Sequence, residues 1–399
     1  MFSSLKVRNF RIYWFGMFVS LIGTWIQATA QSWLVFQLTD SAFLLGLTGF
    51  LSYIPVFLFS LFAGLLADRF NKKNILIFTQ SVFMLLAFLL AVLTQLKLIT
   101  AAQVMLIAFL NGVVMAFDAP SRQAMVVELA GKEKLFNAVA LSSLAFNSSR
   151  VLGPSLAGML VAVIGMSGCF YVNGVSFLAI IIALFLIRLD NNAKVVKNKK
   201  LFEDLKEGLI FIKSHQLILA LIIMVGVVSL FGTSYVMLMP VFAKEVLKVG
   251  FKGLGFLMSC IGIGALIGGL LLARLGNFQY KGRLLIITAL IFSVSLVLFS
   301  ISKNYLLSLF ILAISGGASV MAISIINIVL QTESSDEFRG RVMSVFMLTF
   351  AGIMPFGNLI AGSLASIVGV SWTLLINGAI CTALFFIINL LYPQIRNIR

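Results

Sequence analysis

Apolar residues run almost unbroken for about 20 positions at a time, with short polar interruptions between the runs. Twelve such runs are legible, at 12–37, 44–66, 75–96, 101–119, 138–164, 168–188, 217–240, 253–273, 284–301, 305–329, 342–368 and 371–392. A helix rises about 1.5 Å per residue, so about 20 apolar residues cross the hydrocarbon of a bilayer. A membrane barrel would instead show alternating segments of about ten residues with a polar lumen face. Lipid offers the backbone no hydrogen-bond partner, and helices satisfy it within each segment. The pattern therefore predicts an all-α membrane protein with twelve transmembrane helices.

Composition agrees. Of the 399 residues 61% are hydrophobic and 11% charged, against about 25% charged in soluble domains. With the N-terminus placed in the cytoplasm, 23 of the 29 Lys and Arg fall in cytoplasmic tails and loops. The external loops hold only Lys97, Lys244, Lys248, Lys252 and Lys303. That bias predicts both termini on the cytoplasmic side of a bacterial plasma (inner) membrane. The net charge of +16 is then a topology signal and does not point to nucleic acid. Lys6, Arg8 and Arg11 precede the first run directly, so no cleavable signal peptide is expected. Cys169, Cys260 and Cys381 are dispersed without metal-ligand spacing, and His215 stands alone, so neither a metal nor a cofactor is expected.

The chain divides into residues 1–188 with six helices, a cytoplasmic linker over 189–216, and residues 217–399 with six more. The linker begins polar and basic, suited to an anionic membrane face. It then places Leu201, Leu205, Leu209 and Ile212 at helical spacing, predicting an amphipathic helix at the interface. GLLADR at 64–69 and GLLLAR at 269–274 lie 205 residues apart, and Pro154 and Pro355 lie 201 apart. Related halves with Gly- or Pro-interrupted helices at matching places are a transporter pattern.

The loop GLLADRFNKKN resembles the loop motif of the major facilitator superfamily at Gly64, Asp68, Arg69, Lys72 and Lys73. Asn71 stands where the family has glycine, and Asn tolerates a left-handed backbone. The resemblance implies a cytoplasmic latch through Asp68, Arg69 and Lys72. Ala273 replaces the matching acid in the second half, so the latch is one-sided. The stretch 118–160, DAPSRQAMVVELAGKEKLFNAVALSSLAFNSSRVLGPSLAGML, together with RNFRIYWFGMFVSLIGTWIQ at 8–27, is similar to the branch of enterobactin exporters and transmembrane secretion effectors, near the macrolide efflux proteins.

Arg150 sits inside the fifth run. An ionised arginine at a helix centre costs about 3 kcal/mol on insertion scales, so it must face protein or water. Ser143, Asn147, Arg150 and Pro154 form one stripe, and Pro154 frees the Arg150 carbonyl beside Gly153. Two roles fit Arg150: a forked hydrogen-bond donor to an acidic substrate group, or a structural tie to helix-end carbonyls or to Asp118. The resemblance favours the structural or gating role. Asp118 is expected to end the fourth helix before Pro120 and, by the family's loop network, to pair with Arg69 or Lys72. Its protonation would weaken that pairing and couple transport to protons; a permanently ionised helix-end acid is the alternative. Gln27, Gln31, Asn111, Asn147, Asn327 and Asn358 add neutral groups for substrate or for bonds between helices. Phe and Met side chains give soft, adaptable walls.

The reading is a monomeric secondary transporter working by alternating access. It exports a bulky amphipathic compound, siderophore-like or drug-like, in exchange for protons and in contact with membrane lipids. A lysophospholipid flippase is the alternative and a non-transporting sensor a remote one. No nucleophile–base pair, metal cluster or nucleotide loop is present for an enzyme.

Overall fold

The computed structural model describes the backbone of residues 3–187, 201–276 and 278–398, and their side chains except at 61, 64–69, 132, 201–205 and 397. The described residues contain no strand. Helix α1 is Arg8–Thr39, α2 Ala42–Arg69 and α3 Lys72–Gln95. A continuous helical stretch, Ala101–Leu186, follows, broken by non-helical backbone at Gly131 and Gly165. It comprises α4 (Ala101–Gly131), α5 (133–164) and α6 (166–186). After the linker helix Leu201–Ser214 come α7 (Gln216–Val246), α8 (Phe251–Leu275), α9 (Lys281–Ile301), α10 (Tyr305–Glu333), α11 (Asp336–Val368) and α12 (Val370–Leu391). Among the described residues, length and hydropathy mark ten stretches able to span, one of which, Glu133–Leu186, holds both α5 and α6. Helix α1, diluted by amides and hydroxyls, brings the described membrane helices to the expected twelve.

Local chemistry sets the ends. Thr100 and Gln103 form a reciprocal capping box at the start of α4, and Asn304 caps α10 by accepting from the Leu307 N–H at 3.1 Å. Gly131 (φ 69°, ψ 166°) and Gly165 (φ 70°, ψ −178°) turn the chain between helices with no intervening loop. Nothing lies within 4 Å of a Cβ built on either, so the demand for glycine is purely one of backbone conformation. Helix α7 carries two π-helical turns, Val228–Gly232 and Phe242–Val246.

Three expectations change. Pro120 does not end α4, which continues helically to Gly131. The hydrogen bond that proline removes is offset by an Asp118–Arg122 ion pair straddling it, and Ser121 Oγ binds the Phe117 carbonyl at 2.9 Å. Asn71 is not left-handed: at φ −65°, ψ 115° it caps α3, its Oδ1 accepting from the N–H groups of Lys73 (2.9 Å) and Asn74 (3.4 Å). The linker helix also has protein under it. Glu207 meets Arg341 at 3.0 Å and the Phe211 ring stacks on Phe338 at 4.4 Å, at the start of α11. Ile212 is buried and Leu209 exposed, while the Leu201 and Leu205 side chains lie outside the described residues.

By packing, the chain forms two units. The first comprises Met1–Asp40, Leu51–Lys197 and Phe251–Ser259. Its core joins Phe10, Tyr13 and Met17 of α1 to Leu76 of α3, Met125 and Leu129 of α4, Leu141 of α5 and Ile180 of α6. The second comprises Ser41–Phe50, Asn198–Gly250 and Cys260–Arg399. There Phe242 of α7 packs on Phe299 of α9, and Asn377 Nδ2 of α12 donates to Ser234 Oγ of α7 at 3.1 Å.

Candidate substrate and coupling site

Asp118 lies 17 residues into α4 and is 5% exposed. Its Oδ1 accepts from Thr79 Oγ1 (2.9 Å) and Gln80 Nε2 (2.6 Å) of α3. Its Oδ2 accepts from Arg122 Nε (3.0 Å) and Nη2 (2.7 Å). Ser20 of α1 donates to Gln80 Oε1 at 3.4 Å, extending the network to a third helix, and the Tyr13 ring system lies within electrostatic reach of both charges. Thr79 is seven residues into α3, about 10 Å along the helix axis. The acid is therefore inside the membrane-spanning part. Arg122 Nη1 is buried with no hydrogen-bond partner.

The expected pairing of Asp118 with Lys72 is corrected by this geometry. Lys72 Nζ reaches Glu128 Oε2 at 3.1 Å, and Asp118 is already served by three donor residues. The side chains of Asp68 and Arg69, and hence the expected latch, lie outside the described residues. Lys73 Nζ donates to the Ile187 carbonyl at 2.7 Å, neutralising the negative end of α6.

Arg150 stands near the middle of α5, about 25 Å from its start. It is partly buried, its Cζ 6.0 Å from the Trp25 ring centroid of α1. Phe146 meets the same indole edge-on at 5.9 Å. Tyr53 of α2 is near enough to interact electrostatically. Among the described residues Arg150 has neither a carboxylate partner nor a side-chain hydrogen bond. The structural tie to Asp118 is absent because Arg122 occupies that acid. Gly153 brings α1 against α5: a Cβ there would overlap Trp25 Cβ and come within 3.1 Å of the Ile22 carbonyl oxygen. Pro154 is buried, and the carbonyl of neighbouring Val151 accepts from Ser259 Oγ of α8 at 2.7 Å.

The amides divide by role. Gln27 is 7% exposed and accepts from Asn173 Nδ2 of α6 at 2.7 Å, a bond that ties α1 to α6. Gln31 is partly open and accepts from Gln27 Nε2 at 3.4 Å. Asn147 donates to the Ser143 carbonyl of its own helix at 2.9 Å. Asn111 is partly exposed on α4. In the second unit Asn358 is buried beside Gly46 and Gly49. Asn327 accepts from Gln331 Nε2 at 2.6 Å and lines a cavity of about 310 Å³ with Ser324, Phe346 and Phe350. Sequence reasoning missed Arg122, Thr79, Gln80 and Trp25. The i, i+4 spacing of Asp118 and Arg122 was the available signal. No group of three His, Cys, Asp or Glu side chains converges among the described residues.

Apolar helices long enough to cross a membrane, with charged and amide groups set among them, define a multi-pass membrane protein. The profile of the transmembrane secretion effector family matches residues 1–397, and the chain belongs to that family of the major facilitator superfamily. It is 27% identical to the staphyloferrin A transporter of Staphylococcus aureus over 93% of this chain and 94% of that protein. It is 24% identical to macrolide efflux protein A of Streptococcus pyogenes over 100% and 98%, and 23% identical to the enterobactin exporter of Shigella boydii over 84% and 79%. Among solved structures it is similar in fold to a D-xylose–proton symporter (TM-score 0.75, 12% identity, 94% of this chain and 97% of that one). An inward-facing bacterial homologue of the human lysosomal transporter Spinster gives a TM-score of 0.74 at 12% identity, covering 97% and 98%.

Proposed function

We propose that this transporter exports a bulky amphipathic compound in exchange for protons, by alternating access, across a bacterial plasma membrane with both termini cytoplasmic. The observation that carries the coupling is Asp118, an acid buried in a membrane helix and held by donors from α3 and α4. Ionisable groups at such depth are costly and mark ion and proton paths. Protonation would remove the countercharge of Arg122, whose Nη1 already lacks a partner, and would loosen the Ser20–Gln80–Asp118 connection between α1, α3 and α4. The names of the relatives, a staphyloferrin A transporter, an enterobactin exporter and a macrolide efflux protein, support the substrate range.

The test is accumulation of radiolabelled staphyloferrin A and erythromycin in inside-out vesicles with an acidic lumen. Uptake is expected to survive a voltage clamp and to vanish when nigericin collapses the pH gradient. Asp118→Asn is expected to abolish gradient-driven uptake while keeping substrate exchange. Accumulation indifferent to the gradient, or lysophospholipid movement in its place, would reject the proposal.

A further inference from the structure

Among the described residues of the first unit, Arg122 and Arg150 lie well inside membrane helices, and only Arg122 is paired with a carboxylate. Arg122 has Asp118 at 2.7 Å. Arg150 has none among the described residues. A guanidinium does not deprotonate in proteins, so Arg150 keeps its charge at mid-helix. At 6.0 Å from the ring centroid, Trp25 engages the guanidinium at the limit of a cation–π contact. Among the described residues no side chain accepts a hydrogen bond from the Arg150 N–H fork, which can therefore serve a planar or tetrahedral anion. Asn147 does not compete: its Nδ2 donates to the Ser143 carbonyl of the same helix, and among the described residues its Oδ1 accepts no hydrogen bond from Arg150.

We infer that Arg150 and Trp25 form a binding point for an anionic group, a carboxylate or phosphate, carried on a flat apolar body. The anion bridges the guanidinium fork, and the apolar body lies against the indole and Phe146, which meet at 5.9 Å. Gly153 is a positioning residue: only the absence of a Cβ lets α1 place Trp25 over Arg150. The inference deepens the export reading and rests on it for why the anion is bound.

The experiment is equilibrium dialysis of labelled 1-naphthoate and 1-naphthamide against the full-length protein in phosphatidylcholine nanodiscs, with empty discs as background. Wild type is expected to bind the carboxylate about ten- to a hundredfold more tightly than the amide, the range for a charge-assisted hydrogen bond. Arg150→Gln is expected to erase that preference, and Arg150→Lys to retain part of it. Trp25→Leu is expected to weaken both probes by a similar factor. Equal affinity of wild type for the two probes, absence of naphthoate binding, or an undiminished preference in Arg150→Gln overturns the proposal. Should Arg150→Gln fail to fold, Arg150→Lys and Trp25→Leu carry the comparison. Displacement of naphthoate by lysophosphatidylglycerol supports the anion site with a lipid phosphate as its source; no displacement supports a soluble anion. Gradient-driven uptake of staphyloferrin A is measured in the same variants. Intact probe preference without gradient dependence removes the export reading alone, and the reverse result removes the site alone.

Discussion

At the scale of single residues, the two membrane arginines make opposite demands. Removing Arg122 strands Asp118 with its charge at 5% exposure. Arg122→Leu is therefore expected to cost about 3–5 kcal/mol, while the Asp118→Leu, Arg122→Leu double variant costs far less. Unfolding of the purified protein in rising fractions of dodecyl sulfate checks this, and a double variant as unstable as the single one would refute the pair's role. Gln27 makes a different prediction. Its bond to Asn173 fastens α1 to α6, so Gln27→Leu is expected to lose about 0.6–2 kcal/mol of stability with naphthoate affinity unchanged. A large affinity change would return Gln27 to the substrate contacts where its sequence pattern first placed it. Gln27 and Gln31 were legible from sequence as amides within an apolar run. Whether an amide faces a ligand or a neighbouring helix depends on which helix packs beside it, which spacing does not encode.

At the scale of elements, the uninterrupted apolar runs located the helices because lipid leaves the backbone no other partner. The error fell where polar residues and a proline suggested a loop over 120–137. An ion pair one turn long carries the helix across Pro120, and the turn is compressed into Gly131. Gly131→Ala and Gly165→Ala are each expected to destabilise by about 1–3 kcal/mol, because the φ, ψ region they occupy is open essentially to glycine alone. Gly250→Ala is the control: it also has open space around it but keeps negative φ (−77°), and should stay within about 0.5 kcal/mol. Equal losses at all three positions in the same unfolding assay would show that the strain argument fails. The linker helix illustrates another limit of pattern. Its leucine spacing announced an apolar face, whereas its grip on α11 runs through Glu207–Arg341 and Phe211–Phe338, partners more than 120 residues away in sequence.

At the scale of the whole molecule, basic residues predict the topology. A cysteine replacing Lys303 is expected to react with an impermeant maleimide in intact cells, and one replacing Arg283 only after lysis; the opposite pattern would invert the assignment. The fold class was legible because composition and run length leave so few solutions. The identity of the cargo was not, since Arg150 could be recognised as costly from sequence but its lack of a carboxylate partner among the described residues emerged only when Asp118 was seen to belong to Arg122. That solitary guanidinium also separates the empty protein from the filled one electrically. A unit charge crossing a full potential of 100 mV exchanges about 2.3 kcal/mol with the field. A carrier returning with its proton and without substrate takes Arg150 through part of that field uncancelled, whereas at Arg150 one loaded with a monoanion carries no net charge. Voltage should therefore pace the return stroke and leave the loaded stroke nearly untouched.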